Sequence, residues 1–282
     1  MTSSDAFIES VRRAILGDDA DAYVALFDLP AGVYRGGPTD LRRDAGPVRA
    51  AHARIERIHR AYDAIDWRAE PVAERPFGRR LLVLRRMTRL LLADADETDA
   101  HEELWVLRER EEDGALRLVA AVNSLASYLD AGGAREAPPP EGAAAAAFGP
   151  FLAACEATLN DRDPEAHAAL LDVPFLRISD DATDATASAE ENVEICRRCF
   201  VGVDAAGVGR VRLAPLSVRP YGDELVVARV SITLGYPDGD EVDPNEELWI
   251  LRYAEDRLRL GAIVNPFAPR LIAADPTDGS PA

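Results

Sequence analysis

The chain states its pattern twice, at an offset of 144 residues. Residues 102–108 read E-E-L-W-V-L-R and residues 246–252 read E-E-L-W-I-L-R. Residues 75–85 (R-P-F-G-R-R-L-L-V-L-R) match residues 219–229 (R-P-Y-G-D-E-L-V-V-A-R) in the same way. The offset also pairs Phe7 with Phe151, Asp19 with Asp163, Leu26 with Leu170, Asp28 with Asp172 and Pro30 with Pro174. Asp94, Asp96 and Asp99 fall opposite Asp238, Asp240 and Asp243. A spacing held from the start of each half to its penultimate strand is the duplication of a whole domain. A long period present only twice is a tandem pair and not a solenoid. The expected boundaries are an N-terminal domain at 1–130, a Pro/Ala-rich linker at 131–147, a C-terminal domain at 148–272 and a flexible tail at 273–282.

Each half begins with helical periodicity. Phe7, Ile8, Val11, Ala14 and Ile15 form one stripe that stops at Gly17. A second short helix is expected at about 19–28, capped by Asp18 or Asp19 and ended by Pro30. Val33-Tyr34 reads as a short strand and 36–46 as loop. A third helix follows at about 47–64. The period then changes to two, which places strands at 66–75, 79–92, 101–111 and 115–124, with a turn at Glu112-Asp113-Gly114. The second half predicts helices near 149–160, 163–171 and 188–202 and strands near 208–218, 223–236, 245–254 and 257–265. Helices first and antiparallel strands after make an α+β domain with its helices on one sheet face.

This order, the element lengths and the closing pattern L-W-V-L-R…D-G-A-L-R-L-V-A-A-V-N resemble the nuclear-transport-factor-2-like superfamily, also called SnoaL-like or cystatin-like. The resemblance covers about 7–125 and 151–268. It implies two tandem cone-shaped domains, each with three helices packed on a curved antiparallel sheet around an apolar pocket. It also implies that the outer sheet faces can pair. A fused pair would then be an intramolecular pseudo-dimer, monomeric in solution. Isomerases and cyclases of that superfamily carry a general-base Asp just after the second helix. The first half offers Val33-Tyr34-Arg35-Gly36 there, without a carboxylate, and the second offers Arg177-Ile178-Ser179-Asp180-Asp181.

Composition narrows the partners. A net charge of −18 argues against nucleic acid and anionic membrane surfaces, both of which call for basic patches. Every basic residue apart from His is Arg. No signal-peptide pattern opens the chain and no apolar run reaches a membrane span, so a cytoplasmic protein is expected. Three Cys (Cys155, Cys196 and Cys199) are too few for a disulfide framework. Cys196-Arg-Arg-Cys199 is a lone C-x-x-C, for which buried thiols are the default reading and a metal or redox pair with Cys155 or His167 the alternative. No cofactor or metal is expected.

The candidate catalytic residues are Glu103, Glu247 and Asp180, and the candidate ligand-binding residues are Arg85, Trp105, Asn123, Arg229, Trp249 and Asn265. Glu102-Glu103 and Glu246-Glu247 open matching strands, so alternation puts one carboxylate of each pair on each face. One reading places Glu103 with Arg85, and Glu247 with Arg229, inside the cones as acid/base and anion-orienting groups. The other makes them cross-strand ion pairs on the outer face. Trp105 and Trp249 line a pocket or fill a core. Asn123 and Asn265 donate to a ligand or cap a turn. His52 and His59 share a face of the third helix. The expected function is binding of a small apolar molecule, with or without cofactor-free acid/base chemistry of the isomerase, cyclase or epoxide-hydrolase type. The alternative is a non-catalytic pseudo-dimeric scaffold or protein-interaction module.

Overall fold

The computed structural model describes residues 3–35, 37–94, 96–98, 100–123, 142–239 and 244–266. The expected tail at 273–282, residues 131–141 of the expected linker, and Asp99, Asp240 and Asp243 lie outside them. The chain divides into two compact units, Met1–Glu136 and Ala137–Ala282.

In the first unit the order is α1 (Ser3–Leu16), α2 (Ala20–Val24), β1 (Phe27–Tyr34), β2 (Asp40–Arg42), α3 (Ala45–Ala61), β3 (Ala64–Phe77), β4 (Leu81–Leu92), β5 (His101–Glu109) and β6 (Leu116–Asn123). The second unit opens with α4 (Ala143–Ala146), inside the expected linker, and then repeats the plan. It runs α5 (Phe148–Asp161), α6 (Pro164–Ala168), β7 (Leu171–Ile178), β8 (Thr183–Thr186), α7 (Ala189–Ala205), β9 (Arg210–Tyr221), β10 (Leu225–Gly235), β11 (Asn245–Ala254) and β12 (Arg257–Val264). Each unit builds one six-stranded sheet, ordered β2-β1-β6-β5-β4-β3 and β8-β7-β12-β11-β10-β9. In the first, the apolar stripe of α1 (Phe7, Val11, Ile15) and Val48 of α3 close a core with Leu84, Trp105, Leu107 and Leu118 of the sheet. Among the described residues no helix is long and apolar enough to cross a membrane.

Three expectations are corrected. The sheets are mixed, because β1 runs parallel to β6 and β7 parallel to β12. The helix expected at 19–28 ends at Val24, and 27–34 is all strand. Pro30 looked like a helix stop, but it sits inside β1 where the register with β6 is irregular, between Phe27↔Leu118 and Gly32↔Ala120. A residue without an N–H is tolerated where no regular ladder bond is required. The expected loop at 36–46 holds β2, whose three residues are too few to show a period.

The echo is also structural. Asp28 meets Arg108 at 2.6 Å, and Asp172 meets Arg252 at 2.8 and 2.6 Å, each tying the first long strand to the penultimate one. The offset changes only in the last hairpin. Trp105 faces Ala121, whereas Trp249 faces Ile263, two residues earlier than the echo requires. The first hairpin turns through 111–114 with Gly114 at φ +66°. The second turns on Glu255 and Asp256 alone, both left-handed at φ 52° and 60°, the backbone of a two-residue turn matched to strand twist.

Asp19 and Asp163 are matched N-caps, accepting from Ala22 N at 2.8 Å and Ala166 N at 2.9 Å. Replacing Asp163 with Ala should lower the stability of the second unit by about 1 kcal/mol. Urea unfolding in a Trp67→Phe/Trp105→Phe background, followed by Trp249 fluorescence, measures this, and a change under a few tenths would contradict the capping role.

Candidate functional site

Strand parity decides which side chains face the cone. In β4 the inward positions are Leu84, Arg86, Thr88 and Leu90, all buried, and the intervening Arg85, Met87 and Arg89 are not. Arg86 lies directly across from Glu103, and its Nη2 donates to Glu103 Oε2. Arg85 faces the other way and binds Glu102, Nε to Oε1 at 2.8 Å. In the second unit Arg229 likewise holds Glu246, Nη2 to Oε2 at 2.9 Å. The placement of Arg85 with Glu103 and Arg229 with Glu247 inside the cones is therefore corrected. The duplicated arginines serve the outer-face ion pair, one residue out of phase with the inward carboxylates.

A cavity of about 150 Å³ enters the first unit between α1, α3 and the sheet. Its polar floor is Arg86, Thr88, His101, Glu103 and Asn123, and its apolar wall includes Val11, Ile15, Phe27, Trp67, Leu90 and Trp105. Partly exposed lining residues, Arg54, Ile58 and His59 of α3 with Arg35 beyond β1, border its opening. Glu103 is 4 % exposed. Asn123 Nδ2 donates to its Oε1 at 2.6 Å, and His101 Nε2 lies 3.3 Å from the same oxygen. Burial raises the Glu103 pKa, but the charge of Arg86 and the contact with His101 more than offset it and hold the group below the ordinary carboxylate value. Burial pulls Arg86 down to about 10 against the opposing pull of Glu103, so the guanidinium stays charged at neutral pH. Its Cζ stands 3.1 Å from the ring centroid of Trp105 and 4.6 Å from that of Trp67, a cation–π contact with two indoles whose planes are 12° apart.

The second unit keeps the glutamate, the tryptophan of β11 and the asparagine of this set. Glu247 accepts from Trp249 Nε1 at 2.6 Å and from Asn265 Nδ2. Val230 occupies the position of Arg86, Ile232 that of Thr88, Asn245 that of His101 and Val211 that of Trp67. Val211 and Val230 belong to the packed core around Trp249, with Ile232 against it. Without a cation opposite, burial dominates and pushes Glu247 up to about 7, although the Trp249 and Asn265 hydrogen bonds pull the other way. The carboxylate pKa at one position is thus shifted in opposite directions in the two copies, and the changes of Arg86 to Val230 and His101 to Asn245 are the cause.

The structure brings Glu103, Trp105 and Asn123 to one cavity and sends Arg85 and Arg229 to the outer faces. Asn123 and Asn265 each orient a glutamate. Asp180 is buried in the turn between β7 and β8. His52 is buried with Nε2 3.1 Å from Ala14 O, and His59 borders the cavity with its pKa lowered by burial and by His52. Cys155, Cys196 and Cys199 are free thiols, and burial pushes Cys196 up to about 12. Burial lowers His167 to about 4, and its Nδ1 lies 2.8 Å from Thr158 Oγ1. No cluster able to hold a metal ion occurs among the described residues. Arg86, His101, Trp67 and Thr88 escaped the sequence reading because none has a counterpart in the second copy. The usable signal was parity, since Arg86 is in phase with Leu84 and Leu90.

Residues 141–266 match the model of a family described as NTF2-like protein (DUF6841). No curated protein matches. Similar solved structures include a cystatin-like domain of unknown function from Nostoc punctiforme, 17% identical, covering 50% of this chain and 88% of that one, with a TM-score of 0.37. An NTF-2 like protein of unknown function from Shewanella oneidensis is 10% identical, covering 43% of this chain and 98% of that one, with a TM-score of 0.37. A ketosteroid isomerase-like protein from Erwinia carotovora atroseptica is 16% identical, covering 45% of this chain and 96% of that one, with a TM-score of 0.34.

Proposed function

We propose that the first domain of this tandem NTF2-like pair binds a small, largely apolar molecule in its cone, and that the second domain serves as scaffold. The observation that carries the reading is the N-terminal cavity itself, an apolar wall closed by a polar floor, the usual make-up of a small-molecule site. Trp105 supports it by lying in the wall, edge-on to Phe7 and parallel to Trp67. A volume of about 150 Å³ suits a single ring, since an apolar cavity of roughly that size accepts benzene.

The electrostatics favour binding over proton transfer. A general base works best with a pKa near the operating pH, and Glu103 is held low by Arg86. Glu247 has a suitable value, but it is buried among Trp249, Asn265 and core aliphatics. Isomerase, cyclase or epoxide-hydrolase chemistry at Glu103 would need a ligand that displaces Arg86 from it.

The test is tryptophan fluorescence in a Trp249→Phe background, where Trp67 and Trp105 remain. One-ring aromatic and alicyclic compounds, neutral and charged, should give saturable changes. Ala121→Leu, which fills the cavity beside Trp105, should weaken them at least tenfold. A flat response to every compound would remove the binding reading and leave a scaffold.

A further inference from the structure

We propose that the ligand of the N-terminal cavity is a carboxylate on a single ring, with its carboxylate seated on the Arg86 guanidinium and its ring against Trp67 and Trp105. This rests on the binding reading above and names the chemical class that the site takes.

Arg86 is buried with donors unmet. Its side chain is 3 % exposed, its Nη2 is engaged with Glu103, and its Nε and Nη1 have no hydrogen-bond partner. Thr88 Oγ1 and His101 Nδ1 are also buried without partners, and all three residues line the same cavity. Buried donors are nearly always paired in folded proteins, and leaving one unmet costs about 1–3 kcal/mol, more when charged. The two guanidinium nitrogens and the Thr88 hydroxyl are three donors around one space awaiting acceptor atoms, and a carboxylate supplies two oxygens with several lone pairs.

Charge points the same way. Arg35, Arg42, Arg54 and Arg86 line the cavity, and Glu103 is the only carboxylate among its described lining residues. Asp40, outside the lining, pairs with Arg42 at 3.3 Å and Arg35 at 3.9 Å. Arginines gathered on one cavity of a chain of net charge −18 favour an anion over a neutral ring.

The second domain is an internal control. The same fold is built there with Ser179, Thr186, Val230, Ile232 and Asn245 in place of Arg35, Arg42, Arg86, Thr88 and His101. The fold therefore does not require this set. Burying Arg86 and Arg42 costs desolvation that Val and Thr avoid, and a ligand anion would complete the compensation that Glu103 and Asp40 begin.

The experiment is isothermal titration calorimetry on the full-length protein at pH 7.5 with benzoate, benzamide and benzyl alcohol. Benzoate should bind at least tenfold more tightly than either neutral ring. In the Arg86→Met/Glu103→Gln double variant, which removes the buried pair together, benzoate should fall to the level of benzyl alcohol. Neutral rings that bind as tightly as benzoate would overturn the carboxylate assignment while leaving the cavity a binding site. Failure of all three rings to bind would overturn the binding reading and this assignment together. The wild-type series decides these outcomes without depending on the fold of any variant.

Discussion

Glu103→Ala should destabilise the first domain by about 3–5 kcal/mol, the usual cost of removing one partner from a buried ion pair. The loss is large because of what remains. Arg86 is 3 % exposed and two of its nitrogens are already unpartnered, so its charge would have no anion in a desolvated site. Contact with Trp67 and Trp105 offsets only part, since a desolvated cation–π interaction contributes about 2 kcal/mol. Asn123 and His101 lose their shared acceptor as well. The double change Arg86→Leu with Glu103→Leu should cost far less than Glu103→Ala alone, because apolar replacement of a buried pair is often neutral or stabilising. Urea unfolding of the full chain in a Trp249→Phe background, followed through Trp67 and Trp105, resolves the two cases. A single-variant cost under about 1 kcal/mol, or one no larger than that of the double variant, would mean the pair is solvated.

The second large effect is a pH dependence at Glu247. Its carboxyl has an ordinary value of 4.5 and a folded value of about 7. Between those values the folded chain keeps a proton that the unfolded chain has released. Stability from this group is therefore fully present below pH 4.5 and is lost as pH rises through 7. A difference of 2.5 units corresponds to about 3 kcal/mol. Glu247→Gln removes the ionisation and keeps an acceptor for Trp249 or Asn265. The variant minus wild-type stability of the second domain should climb by about 3 kcal/mol between pH 4.5 and pH 8. A difference that stays flat within 1 kcal/mol over that range would show that the carboxylate is solvated or has found a cation. Glu103 acts in the opposite sense. Its pKa is lowered, so its contribution is present above the ordinary carboxylate value and is lost as pH falls.

These predictions fall on residues that the sequence presents unevenly. Glu103 and Glu247 were visible because a repeated Glu-Glu-Leu-Trp must put one acid on each sheet face. Of the two readings of their partners, the outer-face ion pair holds for Arg85 and Arg229 with the neighbouring Glu102 and Glu246, and the in-cone pairing fails by one residue. Arg85 and Arg229 are duplicated and Arg86 is not, so a search guided by repetition selects the outer-face pair. The chemistry that distinguishes the domains lies where the echo fails, at Arg86 against Val230, Thr88 against Ile232 and His101 against Asn245. Strands β1 and β7 were misjudged for a related reason. Around its proline each meets β6 or β12 in irregular parallel register, so neither shows the clean alternation that reveals the antiparallel strands.

The sequence by itself determined the duplication, the helix-then-sheet order, the matched caps at Asp19 and Asp163, and the alternation that divides each Glu-Glu pair between faces. These are local or periodic properties, set by side-chain spacing within a few residues. Tertiary structure decided the parallel pairing that makes the sheets mixed, the cavity in the first domain, and the opposite pKa shifts of two equivalent glutamates. Each depends on which side chain another strand delivers opposite a given one. The field at Glu103 comes from a guanidinium across the sheet, and no pattern within its own strand records it.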